Sequence, residues 1–193
     1  MKTISEEYLR ELDRLHNDRS RPRGFGGKVK NLGTFWEYVA EYKPTSILDY
    51  GCGKGVVTQS IIEETVNLSR TSGRYTSNHK VQIVHGYDPA VPDKNTIPLS
   101  EYDCVFSIDV LEHIEPDLID NVLQHFNQLS KTFIWSRIDT LPALKKLSDG
   151  RNAHLILENQ DWWNNKFSQN IDGEIVYSNL GKKGKLDICV KET

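Results

Sequence analysis

A glycine-rich loop that begins with an acid is the segment of this sequence best suited to hold a ligand. It reads DYGCGKG over residues 49–55, between a predicted strand (residues 46–50) and a predicted helix (residues 54–68). Glycines at such a point permit a tight turn and let a ligand lie against the backbone. The third glycine comes one residue too early for the dinucleotide pattern G-x-G-x-x-G, and the carboxylate of Asp49 would repel a pyrophosphate. The loop therefore indicates a ligand that carries positive charge and lacks phosphate.

A second acid, Asp88, stands at the end of the next predicted strand, which covers residues 81–89. A carboxylate at the carboxyl edge of a strand suits a pair of hydrogen bonds from ribose hydroxyls. Asp88-Pro89 is also an ordinary start for a turn, so the pair alone leaves both interpretations open. In combination with the glycine loop, the ribose interpretation is favoured.

A third group of polar residues, Asp109, Glu112 and His113, follows a predicted strand over residues 102–109, and His154 comes 41 residues after His113. Two acids and two imidazoles can converge on one divalent cation. Alternatively, the Glu-His pair orders the turn, and the histidines form hydrogen bonds or accept a proton during catalysis. We favour the second interpretation and expect no bound metal.

The elements that must position these groups alternate between strand and helix. A helix is predicted over residues 116–129 and a fourth strand over 131–139, and a terminal hairpin pairs residues 174–180 with 185–191. This order predicts a Rossmann-like, doubly wound, mostly parallel sheet with a C-terminal antiparallel hairpin, in an αβα sandwich. Only thirteen residues, 90–102, join the second strand to the third, so we expect the fold to be compressed there.

The composition is that of an ordinary soluble protein. The chain has 193 residues, 37% of them hydrophobic, and a net charge of −3, which favours one domain over residues 1–193 with no general attraction to nucleic acid. Residues 1–43 are expected to form a helical and lid extension of that domain. Three widely spaced cysteines indicate reduced thiols. Because no run of ~18 apolar residues or signal peptide is visible, we expect a cytoplasmic protein with no membrane contact.

Three segments occur in an order that resembles the class I S-adenosylmethionine-dependent methyltransferases. They are SILDYGCGKG, VHGYDPA and YDCVFSIDVLEHIEP, and the resemblance covers about residues 46–190. The chain is also similar to a compact group of these proteins found in phage genomes, through a later GRNAH…WW segment. The larger family normally places a helix, a strand and another helix where this chain has residues 90–102, so the resemblance does not assign the contacts of the adenine ring.

The resemblance implies a cofactor site for S-adenosylmethionine. Gly51, Cys52 and Gly53 would line the amino-acid part of the cofactor with Asp49 close by, and Asp88 would hold the ribose. Ser107, Ile108 and Asp109 would flank the methyl-donor region. The neighbours Tyr50 and Pro89 are assigned to the same site.

The acceptor side is predicted from the loop that follows the fourth strand. Arg151, Asn152 and His154 offer several donors and one switchable proton acceptor, which suits a sugar or a carboxylate, although a solvated turn is the simpler interpretation. Lys28, in the glycine-rich segment GFGGK, is a candidate to close over the substrate. We expect Asp109, His113 and His154 to lie near the transferred methyl group.

These observations predict methyl transfer by in-line displacement to a small-molecule or sugar acceptor. Nucleic acid is not favoured, because no stripe of basic and aromatic residues is visible. Two alternatives stay open. One is a metal-dependent 2′-O-methyltransferase of RNA 3′ ends, since the pattern of Asp109, Glu112, His113 and His154 is similar to the metal-binding E-x-x-E-H plus histidine of those enzymes. The other is a non-catalytic module that binds S-adenosylmethionine or acts as a scaffold.

Overall fold

A six-stranded sheet forms the centre of the molecule. The computed structural model describes residues 1–16, 32–68, 80–97 and 99–193. The strands are β1 (Ser46–Tyr50), β2 (Ile83–Tyr87), β3 (Tyr102–Ile108), β4 (Ser130–Asp139), β5 (Gly173–Leu180) and β6 (Lys185–Glu192). Their spatial order is β2-β1-β3-β4-β6-β5, with the first four parallel and β6 antiparallel to both of its neighbours. The predicted mostly parallel sheet with a terminal antiparallel hairpin is confirmed.

Helices cover both faces of this sheet. They are α1 (Glu6–His16), α2 (Gly33–Tyr42), α3 (Val56–Leu68), α4 (Ile119–Leu129) and α5 (Gln160–Asn170). Because successive side chains of a strand point to opposite faces, Ile134 of β4 packs with the side chains of α4 and α5, while its neighbours Phe133 and Trp135 pack with those of α2. The two apolar clusters give the three-layer sandwich that the sequence predicts.

The connection between β2 and β3 is short. Its described residues contain one 3₁₀ turn, Pro92–Lys94, and no strand. The amide of Asp88 donates to the carbonyl oxygen of Lys94 at 3.0 Å, which folds the connection back on the end of β2. The predicted compression is therefore confirmed, and β2 is an edge strand of the sheet.

Helix α1 lies close to the loop that follows β4. Tyr8 packs with Leu147 and Ala153, and Glu11 accepts hydrogen bonds from the amide and hydroxyl of Ser148 at 2.9 and 2.7 Å. The helix begins after Ser5, whose Oγ accepts from the amide of Tyr8 at 3.0 Å. No helix within the described ranges is long and apolar enough to cross a membrane.

Candidate active site

A cavity of about 660 Å³ opens at the carboxyl edge of the parallel strands. Its walls come from the glycine loop, the ends of β2, β3 and β4, the loop after β4, and α1. The predicted site residues that line it are Asp49, Tyr50, Gly51, Cys52, Gly53, Asp88, Pro89, Ile108, Asp109, His113 and His154. The topology thus brings together residues that are more than 100 positions apart, because parallel strands end at the same edge.

The glycine loop is held in a conformation that an ordinary side chain would disturb. Gly51, Gly53 and Gly55 all have positive φ angles, of 79°, 52° and 79°. The carbonyl oxygen of Tyr87 accepts from the amides of Gly51 and Cys52 at 2.7 and 3.0 Å, which fixes the loop to the end of β2. A Cβ atom on Gly51 would lie 2.4 Å from Cγ2 of Val110. The loop conformation therefore requires glycine, and it leaves the backbone of the loop exposed to the cavity.

Asp88 joins the glycine loop to the turn after β2. Its Oδ2 accepts from the amide of Gly53 at 3.0 Å and its Oδ1 accepts from the amide of Ala90 at 2.9 Å. Each carboxylate oxygen can accept more than one hydrogen bond, so this buried side chain can still receive hydroxyl groups from a ligand in the cavity. The carboxylate thus braces the loop and also faces the predicted ribose position.

Asp49 is the more deeply buried of the two acids, with 3% of its surface exposed. Burial raises its pKa from 3.8 to about 7, although a hydrogen bond of 2.6 Å from Oγ1 of Thr58 favours the ionised form. The nearby charge of Asp88 raises the pKa further. A cation placed in the cavity would offset the cost of ionising Asp49, which fits a ligand of positive charge.

The raised pKa of Asp49 predicts how stability depends on pH. The folded state holds the proton more tightly than the unfolded state between pH 3.8 and about 7, so the stability from protonated Asp49 is present at low pH and lost as pH rises through that window. We expect the advantage in unfolding free energy of Asp49→Asn over the unmodified chain to grow by about 3 kcal/mol between about pH 5 and about pH 8, measured by urea denaturation.

Asp103 supplies the matched control, since it lies at the opposite end of the strands. Although burial opposes the shift, hydrogen bonds from Thr45 and Ser46 lower its pKa below the usual value of 3.8. The stability difference between Asp103→Asn and the unmodified chain should therefore stay constant across the same pH window. A constant difference for Asp49→Asn as well would show that Asp49 is ionised in the folded chain throughout.

Asp109 marks the acceptor side of the cavity. This residue has a positive φ of 52° directly after β3, an uncommon conformation for a residue other than glycine. Its Oδ1 lies 2.8 Å from Nζ of Lys185, which also lies 2.8 Å from Oδ2 of Asp139. Lys185 lines the cavity and was not predicted from the sequence. It is placed there because β6 runs antiparallel to β4, so that the start of β6 pairs with Asp139 at the carboxyl edge.

Two histidine rings meet on the same side. Those of His113 and His154 have centroids 4.8 Å apart and stand nearly perpendicular. Nδ1 of His113 donates to the carbonyl oxygen of Ala153 at 2.7 Å, and Nδ1 of His154 donates to that of Leu141. Burial lowers the pKa of His113 from 6.5 to about 4, so its ring is neutral at physiological pH.

Glu112 lies beside these rings and is fully buried. Its Oε1 accepts from the amide of Asp139 at 3.0 Å, whereas its Oε2 is buried without a hydrogen-bond partner. Burial, and then the charge of Asp109, raises the pKa of Glu112 from 4.5 to about 8. The sequence-based assignment placed Asp109 and His113 at the reaction centre and left Glu112 as a residue that orders the turn.

Four predicted site residues are not found among the residues that line the cavity. Ser107 is buried between β3 and β4, where its hydroxyl donates to that of Ser136 at 2.9 Å. Arg151 is exposed and its Nε lies 2.6 Å from Oδ2 of Asp149. Lys28 lies outside the described residues.

The fourth, Asn152, is hydrogen-bonded within its own loop. Its Oδ1 accepts from the amides of Ala143 and His154, both at 3.0 Å or less, and its Nδ2 donates to the carbonyl oxygen of Ala143 at 2.9 Å. The side chain therefore shapes the loop that carries His154. Its direct contact with substrate stays a prediction, as does that of Arg151.

Comparison with known proteins agrees with this combination of fold and site. The sheet order, the glycine loop and the acid after β2 define a Rossmann-like fold of the methyltransferase type. Residues 3–169 match the family described as "Methyltransferase domain". The chain therefore belongs to this methyltransferase family and is an S-adenosylmethionine-dependent methyltransferase.

Solved structures show the same fold at low sequence identity. Magnesium protoporphyrin IX methyltransferase from Synechocystis PCC 6803, with bound S-adenosylhomocysteine, is 13% identical with a TM-score of 0.56, over 94% of this chain and 98% of that one. The 1,6-didemethyltoxoflavin N1-methyltransferase of Burkholderia thailandensis is 15% identical with a TM-score of 0.53, over 100% of this chain and 92% of that one.

An O-methyltransferase family protein from Burkholderia thailandensis is 13% identical with a TM-score of 0.56. That match covers 83% of this chain and only 55% of the other protein. No curated protein matches the chain by sequence.

Proposed function

We propose that this methyltransferase acts on a small polar molecule, such as a sugar, that binds in the same cavity as the cofactor. The observation that carries the proposal is the position of the N-terminal segment, because Ile4 and the α1 residues Tyr8 and Leu12 line the cavity together with the strand ends. The glycine loop, Asp88 and the two histidines thus line one cavity, which α1 partly covers. A volume of about 660 Å³ is within the range of small-ligand sites.

In this proposal the cofactor occupies the β1 and β2 side of the cavity. Gly51 to Gly53 present backbone to the amino-acid part of S-adenosylmethionine, and Asp49 offers a carboxylate to the positive charge. Asp88 receives the ribose hydroxyls. The relatives crystallised with S-adenosylhomocysteine support the assignment of this ligand.

The charges around the cavity favour a small acceptor over a nucleic acid. Among the described lining residues, acids outnumber bases five to three: Asp49, Asp88, Asp109, Glu115 and Asp139 against Arg137, Lys145 and Lys185. Lys185 and Arg137 are themselves paired with carboxylates. The sugar–phosphate backbone of a nucleic acid needs an excess of unpaired positive charge, which the walls of this cavity do not provide.

The acceptor would occupy the side lined by Asp109, His113 and His154. A lone pair of its O or N atom forms the new bond to the methyl carbon while the carbon–sulfur bond breaks, and the bonding electrons leave with sulfur as S-adenosylhomocysteine. The proton of the acceptor's O–H or N–H group is released to water. The acceptor must lie in line behind the methyl group, so the main contribution of the protein is position. The side chains of His113 and His154 line the cavity at that point.

The proposal is tested by a screen for formation of S-adenosylhomocysteine with sugars, phenols, amines and carboxylic acids, and with a short RNA. We expect turnover with at least one small acceptor and none with RNA. His154→Gln should then reduce turnover about 100-fold or more, while the affinity for S-adenosylhomocysteine changes by less than about threefold.

His85→Gln is the matched control for the histidine variant. The half-buried ring of His85 lies outside the cavity, with Nδ1 2.7 Å from the hydroxyl of Tyr102, so turnover should be retained. Turnover with RNA alone would contradict the small-acceptor proposal, and turnover with nothing in the screen by a chain that binds S-adenosylhomocysteine would favour a non-catalytic module.

A further inference from the structure

In contrast to the sequence-based expectation of no bound metal, we propose that Glu112, His113 and His154 form a binding site for one divalent transition-metal cation at the acceptor end of the cavity. One ligand atom from each of the three lies within 4.8 Å of those of the other two. In a tetrahedral site with metal–ligand bonds of about 2.1 Å, the ligand atoms stand about 3.4 Å apart. Side-chain rotations that bring these ligand atoms closer by little more than about 1 Å would therefore place all three on one ion.

The first observation behind this site is the unpartnered oxygen of Glu112. Its Oε2 is fully buried and has no hydrogen-bond partner, although Oε1 is held by the amide of Asp139. A buried carboxylate oxygen without a hydrogen-bond partner lowers the stability of the folded chain. A cation between Oε2 and the two rings would satisfy this oxygen and favour the ionised carboxylate.

The second observation, independent of the first, is the orientation of the imidazoles. Each donates through Nδ1 to a backbone carbonyl oxygen, of Ala153 for His113 and of Leu141 for His154. In a neutral ring this arrangement places the lone pair on Nε2. Metal-binding histidines characteristically have their second nitrogen fixed in this way, because the hydrogen bond sets both the tautomer and the direction of the ring.

The ligand set indicates which ions would bind. Two imidazoles with one carboxylate suit zinc, manganese, iron or cobalt better than magnesium or calcium, which prefer oxygen alone. Asp109 is not part of the cluster, and its Oδ1 is paired with Lys185.

Three protein ligands leave at least one position on the ion open. Because His113 and His154 line the cavity, that position would face the acceptor. The acceptor class is then a molecule with an oxygen atom able to coordinate the ion. Only this last step depends on the proposed function, since binding of the ion itself can be measured without cofactor or substrate.

Cobalt(II) alone is the probe for the test. The tag-free chain is treated with a chelator, dialysed and titrated with Co²⁺ while its visible d–d absorption is recorded. We expect saturation at one ion per chain, with the intense absorption of a low-coordinate site that includes nitrogen ligands. His154→Gln and Glu112→Gln should each weaken binding by about 30-fold or more, because each removes one ligand of three.

His85→Gln again serves as the control and should bind Co²⁺ as the unmodified chain does. Should the buried substitution at Glu112 prevent folding, His154→Gln decides alone, with circular dichroism to show that it folds. Absence of saturable binding, or equal affinity in folded His154→Gln, would overturn the site. Calorimetry with S-adenosylhomocysteine on the same metal-free chain separates this failure from a failure of the proposed function.

Discussion

Gly51→Ala is expected to abolish cofactor binding and to lower the free energy of unfolding by about 3 kcal/mol. The substitution places a side chain on a residue with a φ of +79°, which costs about 1 kcal/mol, and it brings the new Cβ against Val110. The new methyl group would stand beside Val110, which lines the cavity, on the loop proposed to hold the cofactor. Calorimetric titration with S-adenosylhomocysteine should show an affinity at least about 100-fold weaker.

Gly150 provides a close control for this change. Its φ is +88°, and a Cβ there would meet no atom within 4 Å. Gly150→Ala should therefore cost only the conformational strain and leave cofactor affinity unchanged. If the two alanine variants behave alike, the backbone angle alone explains the requirement for glycine in the loop.

The double variant Gly51→Ala/Val110→Ala separates packing from binding. Shortening Val110 removes the atoms that the new Cβ would meet, which lie 2.4 and 2.6 Å away. Stability should recover relative to Gly51→Ala, whereas cofactor affinity should stay low. Recovery of both properties would mean that the loop contributes to binding only through its packing.

Asp88→Ala has the second large expected effect. The substitution removes the acceptor of the proposed ribose hydrogen bonds, each worth at most roughly 1.5 to 3 kcal/mol, and it releases the amide of Gly53 from the loop. We expect affinity for S-adenosylhomocysteine to fall by about 100-fold or more, measured by calorimetry. Asp88→Asn, which keeps one acceptor oxygen, should be intermediate.

Asp103→Ala tests whether that loss is specific to the carboxyl edge. Asp103 also accepts hydrogen bonds from backbone amides, those of Thr45 and Ser46, but at the amino end of the strands. Its removal should lower stability without altering cofactor affinity. Unchanged calorimetric binding by folded Asp88→Ala would remove the ribose assignment.

Most of the fold was predictable because its signals are local. The apolar run of β1 is buried along its whole length, as expected for a strand covered on both faces. The acids Asp49, Asp88 and Asp109 follow, or stand at the ends of, such runs, so the parallel arrangement alone predicts that they meet at one edge. The prediction that these residues share a cavity depended only on the order of strands and helices.

The other features of the fold and site depend on contacts between residues far apart in the sequence, which no local sequence pattern predicts. Lys185 reaches the cavity because β6 pairs antiparallel with β4, in a register that places Lys185 beside Asp139. The sequence predicts the hairpin but not which strand of the sheet the hairpin pairs with. The N-terminal extension was predicted to be helical, but the sequence did not indicate what α1 packs against, which is the loop near Leu147 and Ala153. The amide side chain of Asn152 is of a type that often contacts substrate. Its three hydrogen bonds within the loop show a structural role, which its position in the sequence does not indicate.

The most direct test of the central claim is calorimetric titration of the unmodified, metal-free chain with S-adenosylhomocysteine. The proposed site predicts saturable binding of one ligand per chain with a dissociation constant in the micromolar range, about −7 to −8 kcal/mol. It also predicts that this binding is lost in Asp88→Ala and retained in Asp103→Ala. A folded chain that releases no heat of binding at about 1 mM ligand would contradict the account.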